Sequence, residues 1–194
     1  MNDTRYTNNK IIIGLIGEKG AGKETFTQLL RNTLLQTTQV INTSNLMAET
    51  LELWTLEKSR HNLQQIALLM ERTFGEGTMN RALAEKVNNS TAEVIIWDSI
   101  RFPNTFDFVN TLPRSILVYI TASAEARYER IRLRKQKVGE DQMTLQEFID
   151  NEQVGTEKDI PMLGHKADFT LDNNGNMNQL EKQVRAFCQQ FGLG

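Results

Sequence analysis

Glycines and a lysine near the start of the chain are spaced in a way that suits phosphate binding. Glycine lets successive backbone N–H groups turn towards one centre, because it has no Cβ in the way. Such donors, followed by the N-terminus of a helix, form a positive concavity for phosphate oxygens. The residues that we expect to hold the phosphates all lie between positions 17 and 25: Gly17, Lys19, Gly20, Ala21, Gly22, Lys23, Glu24 and Thr25.

The chain on either side of this segment supports phosphate binding. Residues 10–16 are apolar and β-branched and predict a strand, and an amphipathic helix is predicted from about residue 25 to 35. A strand, the spacing Gly17-x4-Gly22-Lys23 and a helix are the pattern of a P-loop. Many P-loops carry Ser or Thr after the lysine to bind Mg²⁺. Here Glu24 holds that position, so Thr25 is the candidate metal ligand, while Glu24 either stabilises the first helical turn or meets the metal through water.

A carboxylate and a guanidinium come at the end of another apolar segment. Residues 94–98 predict a strand that ends in Asp98, and Arg101 follows three residues later. In an open parallel sheet the carboxyl ends of the strands face the ligand crevice. Asp98 is thus placed to hold Mg²⁺ or its water, and Arg101 to bind an acceptor phosphate with its planar fork. The alternative is a capping Asp and a surface Arg.

Basic residues are concentrated in one short segment. Residues 127–137 hold six basic side chains and one acid, although the chain as a whole has a net charge of -2. On a helix, Arg127, Arg130 and Arg134 share one face. That face is either an anion site or a solvated basic surface. We expect no nucleic-acid partner, because the basic residues are not interleaved with a series of aromatic side chains.

Strand-like and helix-like segments alternate along the whole chain, which predicts a layered α/β fold with a parallel sheet. In residues 44–90, the spacing of the apolar residues predicts helices throughout. Thr144 and Glu147 form a capping-box pattern that predicts the start of a further helix. Five strands are expected, at residues 10–16, 40–41, 94–98, 116–120 and 169–171.

Composition limits the class of protein and its surroundings. The 194 residues include a single cysteine, which suits a reducing cytoplasm, since it cannot form a disulfide within the chain. No apolar run approaches the roughly 18 residues of a membrane helix. The polar start, MNDTRYTNNK, lacks the apolar stretch of a signal peptide. We expect a cytoplasmic protein with no membrane partner.

Together these motifs resemble the P-loop nucleoside monophosphate kinases. The likeness is strongest to the poorly characterised proteins similar to dephospho-CoA kinase and to deoxynucleoside monophosphate kinases. It spans nearly the whole chain and rests on four segments: GEKGAGKET, VIIWDSIRFPN, RYERIRLRKQK and ADFTLDNNGNMNQL. The resemblance implies a three-layer αβα P-loop kinase fold in one domain, residues 1–194. Its parts would be a core (10–43, 91–129 and 154–194), a helical acceptor lobe (about 44–90) and a lid (about 130–145).

The resemblance also implies cofactors and residue roles on the nucleotide side. ATP and Mg²⁺ would be the cofactors, with Thr25 and Asp98 as metal ligands. In the lid, Arg130 would lie against the base and Arg134 would reach the phosphates. The segment expected to contact adenine consists of Asn173, Asn174 and Gly175. The catalytic residues would be Lys23, Asp98, Arg130 and Arg134.

On the acceptor side, SRHNLQQIA resembles an Arg-x3-Gln pattern of these kinases. It implies that Arg60 and Arg101 bind an acceptor phosphate and that Gln64 bonds a base edge. The expected partner is therefore a small phosphorylated molecule. Residues 42–48 lack the arginine that adenylate kinases have there, and Asn45 stands where dephospho-CoA kinases have an acid. Two alternatives stay open: a dephospho-CoA kinase-like activity, and a nucleotide-binding regulatory or assembly module with little turnover.

Overall fold

A sheet of five parallel strands forms the centre of the computed structural model, which describes residues 9–134, 143–153 and 157–194. The strands are β1 (Ile11–Ile16), β2 (Thr38–Ile41), β3 (Val94–Ile100), β4 (Ser115–Thr121) and β5 (Phe169–Asp172), in the spatial order β2-β3-β1-β4-β5. The middle strand, β1, is buried at all six positions. Burial on both faces explains its uninterrupted apolar sequence.

Helices cover both faces of the sheet. On one face lie α1 (Lys23–Thr33) and α9 (Met177–Phe191), whose Phe26 and Phe187 pack edge to face in the core. The single cysteine, Cys188, is 4% exposed in the same cluster. On the other face lie α4 (Thr78–Asn89), α5 (Pro103–Asn110) and α8 (Ile160–Gly164). The arrangement is the predicted three-layer αβα fold.

Three helices fill the chain between β2 and β3. They are α2 (Thr43–Leu53), α3 (Arg60–Phe74) and α4, and they share a small core around Met47, Ile66 and Met79. Asn42 and Ser59 cap α2 and α3, because their side chains accept hydrogen bonds from backbone N–H groups three residues on. The helical character predicted for residues 44–90 is thus confirmed.

The remaining helices are α6 (Ala124–Arg134) and α7 (Leu145–Glu152). The predicted capping box of Thr144 and Glu147 opens α7. Part of the predicted lid, residues 135–142, lies outside the described residues. None of the helices in the described ranges has the length and apolarity to cross a membrane.

Two of the described helices were not predicted from the sequence. Both α5 and α8 are short and carry proline in their first turn, a signal that the sequence did contain. The two tryptophans differ in their surroundings. Trp97 is buried in the core, but Trp54 is more than half exposed, because it follows the last turn of α2 at the lobe surface.

Candidate active site

The expected phosphate-binding segment, residues 17–25, comprises the turn after β1 and the first turn of α1, and is called the P-loop below. Gly20 and Gly22 have φ angles of 80° and 102°, in the left-handed region that favours glycine. Gly22 is also the N-cap residue of α1, so the positive end of the helix adjoins the loop. A Cβ at Gly22 would collide with the side chain of Asn173, and one at Gly17 with the carbonyl oxygen of Ile120. Both glycines are therefore required by close approach.

The Lys23 ammonium lies over the P-loop. Its Nζ donates hydrogen bonds to the carbonyl oxygens of Gly17, at 2.6 Å, and Glu18, at 3.0 Å. Burial lowers the pKa of Lys23 to about 8, and the nearby positive charge of Arg101 acts in the same direction. The carboxylates of Asp98, Glu157 and Glu18 oppose this shift. A bound phosphate would favour the charged form.

Asp98 belongs to the same electrostatic cluster. Burial raises the pKa of its carboxyl, while the charges of Lys23 and Arg101 lower it and Glu24 raises it further. Strand β3 continues beyond Asp98 to Ile100, and its register with β1 shifts there, so that one extra residue is accommodated. Such bulges commonly occur beside active sites, where they redirect side chains. The structure thus brings together the lysine, the aspartate and the arginine that the sequence singled out.

Arg101 is held by two neighbours. Its Nε donates to Ser99 Oγ at 3.1 Å, and its Nη1 forms an ion pair with Glu157. No sequence pattern indicated Glu157 as a partner of Arg101, because the two residues are 56 positions apart. The guanidinium that we expected to bind an acceptor phosphate is therefore engaged by a carboxylate.

The three arginines that were expected on one face of α6, Arg127, Arg130 and Arg134, have different surroundings. Arg130 donates to the carbonyl oxygens of Gly20, at 3.4 Å, and Asn173, at 2.5 Å, and burial lowers its pKa. It therefore bridges the P-loop and the chain that follows β5. Arg134, one turn later, is exposed at the end of α6.

Arg127 is buried instead of facing a ligand. Its two terminal nitrogens donate to the carboxylate of Glu152 in α7, and its Nε donates to the carbonyl oxygen of Ala122 at 2.9 Å. The guanidinium carbon lies 5.5 Å from the centre of the Phe148 ring. Arg127 thus holds α7 against α6. The arginines expected on one basic face therefore differ: Arg127 is structural, whereas Arg134 is exposed to solvent.

The segment after β5 supports the P-loop. The buried Asn173 donates from Nδ2 to the carbonyl oxygen of Ala21 at 2.8 Å. Asn174 accepts a hydrogen bond from Ser123 N, and Gly175 precedes the capping box of Asn176 and Gln179 that opens α9. Contact of this segment with adenine stays a prediction.

Glu18 is a residue of the P-loop that sequence reasoning passed over. Its side chain is buried, Oε1 accepts a hydrogen bond from the Tyr119 hydroxyl, and Oε2 has no hydrogen-bond partner among the described residues. Burial, together with this bond, raises the pKa of Tyr119 to about 12. The partners are 101 positions apart, so no local sequence signal could have paired them.

The few oxygen donors of the protein at this site fit a magnesium ion that takes its other ligands from substrate phosphates and water. In the described ranges, no cluster of three acidic, histidine or cysteine side chains could hold a metal. Thr25 lies half-buried in the first turn of α1, and Glu24 beside it is exposed. Mg²⁺ in phosphate-transferring sites is commonly bound by one or two protein oxygens, substrate phosphates and water. Thr25 and Asp98 can supply such a pair.

A cleft of about 930 Å³ opens between α3, the start of α4 and the start of α5. Gln64 lines it, as does Phe102, which follows Arg101 directly. Arg60, whose side chain the structure does not describe, is the first residue of α3, one turn before Gln64. Phe102 lines the cleft, and its chain neighbour Arg101 belongs to the cluster with Lys23 and Asp98. The cleft therefore lies beside that cluster.

No protein-family model matches the chain. Two archaeal relatives, both named UPF0200 protein, are similar over nearly the full length. The relative from Hyperthermus butylicus is 23% identical over 190 residues, which cover 94% of this chain and 96% of its own. The relative from Pyrococcus horikoshii is 23% identical over 181 residues, covering 90% and 94%.

Solved structures are similar at the level of the fold. A shikimate kinase from Bacteroides thetaiotaomicron aligns with a TM-score of 0.61 and 19% identity, covering 94% of this chain and 99% of its own. This chain has the fold of the P-loop kinases. A shikimate kinase from Acinetobacter baumannii, in complex with shikimate, aligns with a TM-score of 0.55 and 15% identity (99% and 98% covered). A tunicamycin resistance protein from Deinococcus radiodurans has a TM-score of 0.56 and 16% identity (95% and 97% covered). The P-loop kinase fold predicted from the sequence is confirmed.

Proposed function

We propose that this protein is an ATP-dependent phosphotransferase that moves the γ-phosphoryl group to a small phosphorylated acceptor. A nucleoside or deoxynucleoside monophosphate is the favoured acceptor. The observation that carries the proposal is the convergence of Lys23, Asp98 and Arg101 beside a P-loop that Arg130 also contacts. A helix N-terminus, a buried lysine and two arginines around one loop are what a transferring phosphoryl group needs.

Each group has a part in the transfer. The P-loop amides hold the phosphates of ATP, and Lys23, Arg130 and Arg134 distribute the charge that develops on the transferring group. Thr25 and Asp98 would hold Mg²⁺, which would neutralise phosphate charge when bound. Arg60 and Arg101 hold the acceptor in line with the γ-phosphate. The adenine lies against Arg130 and the segment Asn173–Asn174–Gly175.

Phosphoryl transfer to a phosphate acceptor does not need a general base. A phosphate monoester has its second pKa near 6, so most of it is dianionic at neutral pH and can attack without losing a proton. Closure of the lid, about residues 130–145, would exclude water from the γ-phosphate and suppress hydrolysis. Closure would also bring the exposed Arg134 towards the phosphates.

An acceptor screen tests this function. ADP formation from ATP is measured with each common ribo- and deoxyribonucleoside monophosphate, with dephospho-CoA and with shikimate. We expect stoichiometric ADP formation that depends on one phosphorylated acceptor, and its loss in Lys23→Ala, whose circular dichroism should be unchanged. Tight ATP binding without acceptor-dependent ADP would instead indicate a nucleotide-binding module. Normal turnover in Lys23→Ala would contradict the assignment of this lysine.

A further inference from the structure

The chain that follows β5 contains a pair of residues that can react with each other. Asn174 is followed by Gly175, and no other asparagine of the sequence is followed by glycine. The backbone nitrogen of the residue after an asparagine can attack the carbon of the side-chain amide and close a cyclic imide. Glycine leaves that approach open, because it has no Cβ in the way. Both residues are exposed, so water can reach the pair.

The nucleophile of such a reaction, the backbone nitrogen of Gly175, is not engaged by the described part of the protein. The N–H groups on either side of it are engaged. Asn174 N donates to Asp172 Oδ1 at 2.8 Å, and Asn176 N donates to Gln179 Oε1 at 2.9 Å. Between them, Gly175 N donates to none of the described residues. Attack by this nitrogen therefore breaks no hydrogen bond within the described ranges.

The amide that this nitrogen would attack carries a hydrogen bond that favours the attack. Asn174 Oδ1 accepts a hydrogen bond from Ser123 N at 2.8 Å. Ser123 is itself held at the start of α6, because its hydroxyl accepts a hydrogen bond from Ala126 N at 3.2 Å. A donor fixed at a carbonyl oxygen stabilises the negative charge that develops there when a nucleophile adds to the carbon. The fold thus makes the Asn174 amide carbon more electrophilic.

Replacement of the Asn174 amide by a carboxylate would alter the turn beside the P-loop. Asn174 Nδ2 donates to Asp172 Oδ1 at 2.6 Å, so the two side chains are in direct contact. A carboxylate at position 174 has no such donor, and its charge would repel that of Asp172. Asn173, which lies between them in the chain, donates to the Ala21 carbonyl oxygen of the P-loop at 2.8 Å. The change would therefore disturb the residue that supports the loop.

We propose that Asn174 is a site of spontaneous deamidation, in which Gly175 N bonds to Asn174 Cγ and the side-chain nitrogen leaves as ammonia. The proton of the Gly175 N–H ends on that ammonia. Water then opens the cyclic imide by adding OH to one of its carbonyl carbons and a proton to Gly175 N, which gives aspartate or isoaspartate at position 174. No atom is oxidised or reduced. The chemistry is independent of the proposed function, and only its effect on ATP binding rests on that function.

Peptide mapping by mass spectrometry tests the modification on the full chain, kept in neutral buffer either as native protein or unfolded in urea. We expect Asn174 of the native protein to gain the mass that accompanies replacement of an amide by a hydroxyl. Asn89, which is exposed and precedes Ser90, is the internal control, because Ser90 N donates to the carbonyl oxygen of Val87 at 3.3 Å. Asn174→Gln should not react, because its longer side chain places the amide carbon one bond farther from the attacking nitrogen. An unconverted Asn174 in native protein, or equal conversion of Asn89, would overturn the proposal.

The consequence for the turn is tested with Asn174→Asp, which has the same side chain as the aspartate product. We expect its thermal unfolding midpoint to fall by several degrees and its Kd for ATP to rise several-fold. Adding Asp172→Asn to this variant should recover most of both losses, because an amide at position 172 can again donate across the same contact. Equal losses in the single and the double variant would overturn the role of charge repulsion. If Asn174→Asp does not fold, converted and unconverted wild-type protein, separated by ion exchange, provide the same comparison.

These outcomes distinguish the modification site from the proposed function. If Asn174 converts in native protein and the acceptor screen finds no phosphoryl transfer, the site stands and the function is wrong. If phosphoryl transfer is found and Asn174 never converts, the function stands and the site is wrong. If converted protein binds ATP as tightly as unconverted protein, the modification does not act on the P-loop, and that part of the inference is wrong.

Discussion

Asn173 donates a hydrogen bond from Nδ2 to the carbonyl oxygen of Ala21, with 2.8 Å between the two atoms and 152 positions between the two residues. The same side chain fills the space that a Cβ at Gly22 would need. Arg130 adds a third connection, because it donates both to Asn173 and to Gly20. The shape of the P-loop thus depends on α6 and on the end of β5.

We therefore expect Asn173→Ala to weaken ATP binding and to lower the free energy of unfolding by about 1–3 kcal/mol, since the buried Ala21 carbonyl loses its donor. Calorimetric titration with ATP and thermal unfolding measure the two effects. Gln183→Ala removes two hydrogen bonds to the backbone of Asp172 at the end of β5 but none to the P-loop, so it is the control and should leave ATP affinity nearly unchanged. Equal effects of the two variants on ATP affinity would mean that general support of the end of β5, and not the bond to Ala21, matters.

Proton uptake is expected when ATP binds. Burial lowers the pKa of Lys23 to about 8, so near pH 8 about half of the molecules carry a neutral amine at this position. Phosphate oxygens favour the charged form and raise this pKa, so binding at pH 8 should take up close to half a proton, and affinity should fall as the pH rises above 8. Titrations in two buffers of different ionisation enthalpy measure the uptake. Lys23→Ala should abolish it, and an unchanged uptake in that variant would assign it to another group.

The ion pair of Arg101 with Glu157 should compete with the acceptor. Glu157→Gln removes the carboxylate charge, so we expect a several-fold lower acceptor KM and little change in the KM for ATP. Glu152→Gln is a matched control, because it also breaks a glutamate–arginine pair but at Arg127, away from the cluster of Lys23 and Asp98. The control should lower thermal stability and leave the acceptor KM unaltered. An acceptor KM that rises in Glu157→Gln would show that this carboxylate helps to place Arg101.

We expect Arg134 to stabilise the transition state of phosphoryl transfer and to contribute little to the binding of ATP. It is exposed at the end of α6, so its removal should cost nothing in stability. Arg134→Ala is expected to lower kcat by tenfold or more while the Kd of ATP changes less than threefold. Steady-state kinetics and equilibrium titration provide the comparison, with Arg132→Ala on another face of α6 as control. Equal losses in both quantities would mean uniform binding of ATP.

Local signals explain most of what the sequence predicted. The P-loop and the capping box of Thr144 each depend on residues within a few positions of one another, and both form as expected. The parallel sheet also follows from the alternation of strands and helices, whereas the spatial order of its strands was not predicted. The convergence of Asp98 with Lys23 was predicted because both lie at carboxyl ends of neighbouring parallel strands.

Long-range pairings explain what the sequence did not predict. Glu18 with Tyr119, Arg101 with Glu157, and Arg127 with Glu152 join residues at least 25 positions apart. No composition or spacing rule selects one glutamate among many as the partner of a given arginine. The cleft between α3 and α4 likewise depends on the position of α5, a helix that was missed because it is short.

The burial of Cys188 on the core-facing side of α9 has a practical consequence for these experiments. The packed core shields its thiol from the solvent and raises its pKa, which leaves little reactive thiolate. Since the chain has no second cysteine, a thiol introduced at an exposed position becomes the sole target for maleimide dyes. Fluorescent labels can thus be attached to α6 or to the cleft rim on the otherwise unaltered protein, and distances between them can be followed as nucleotide is added.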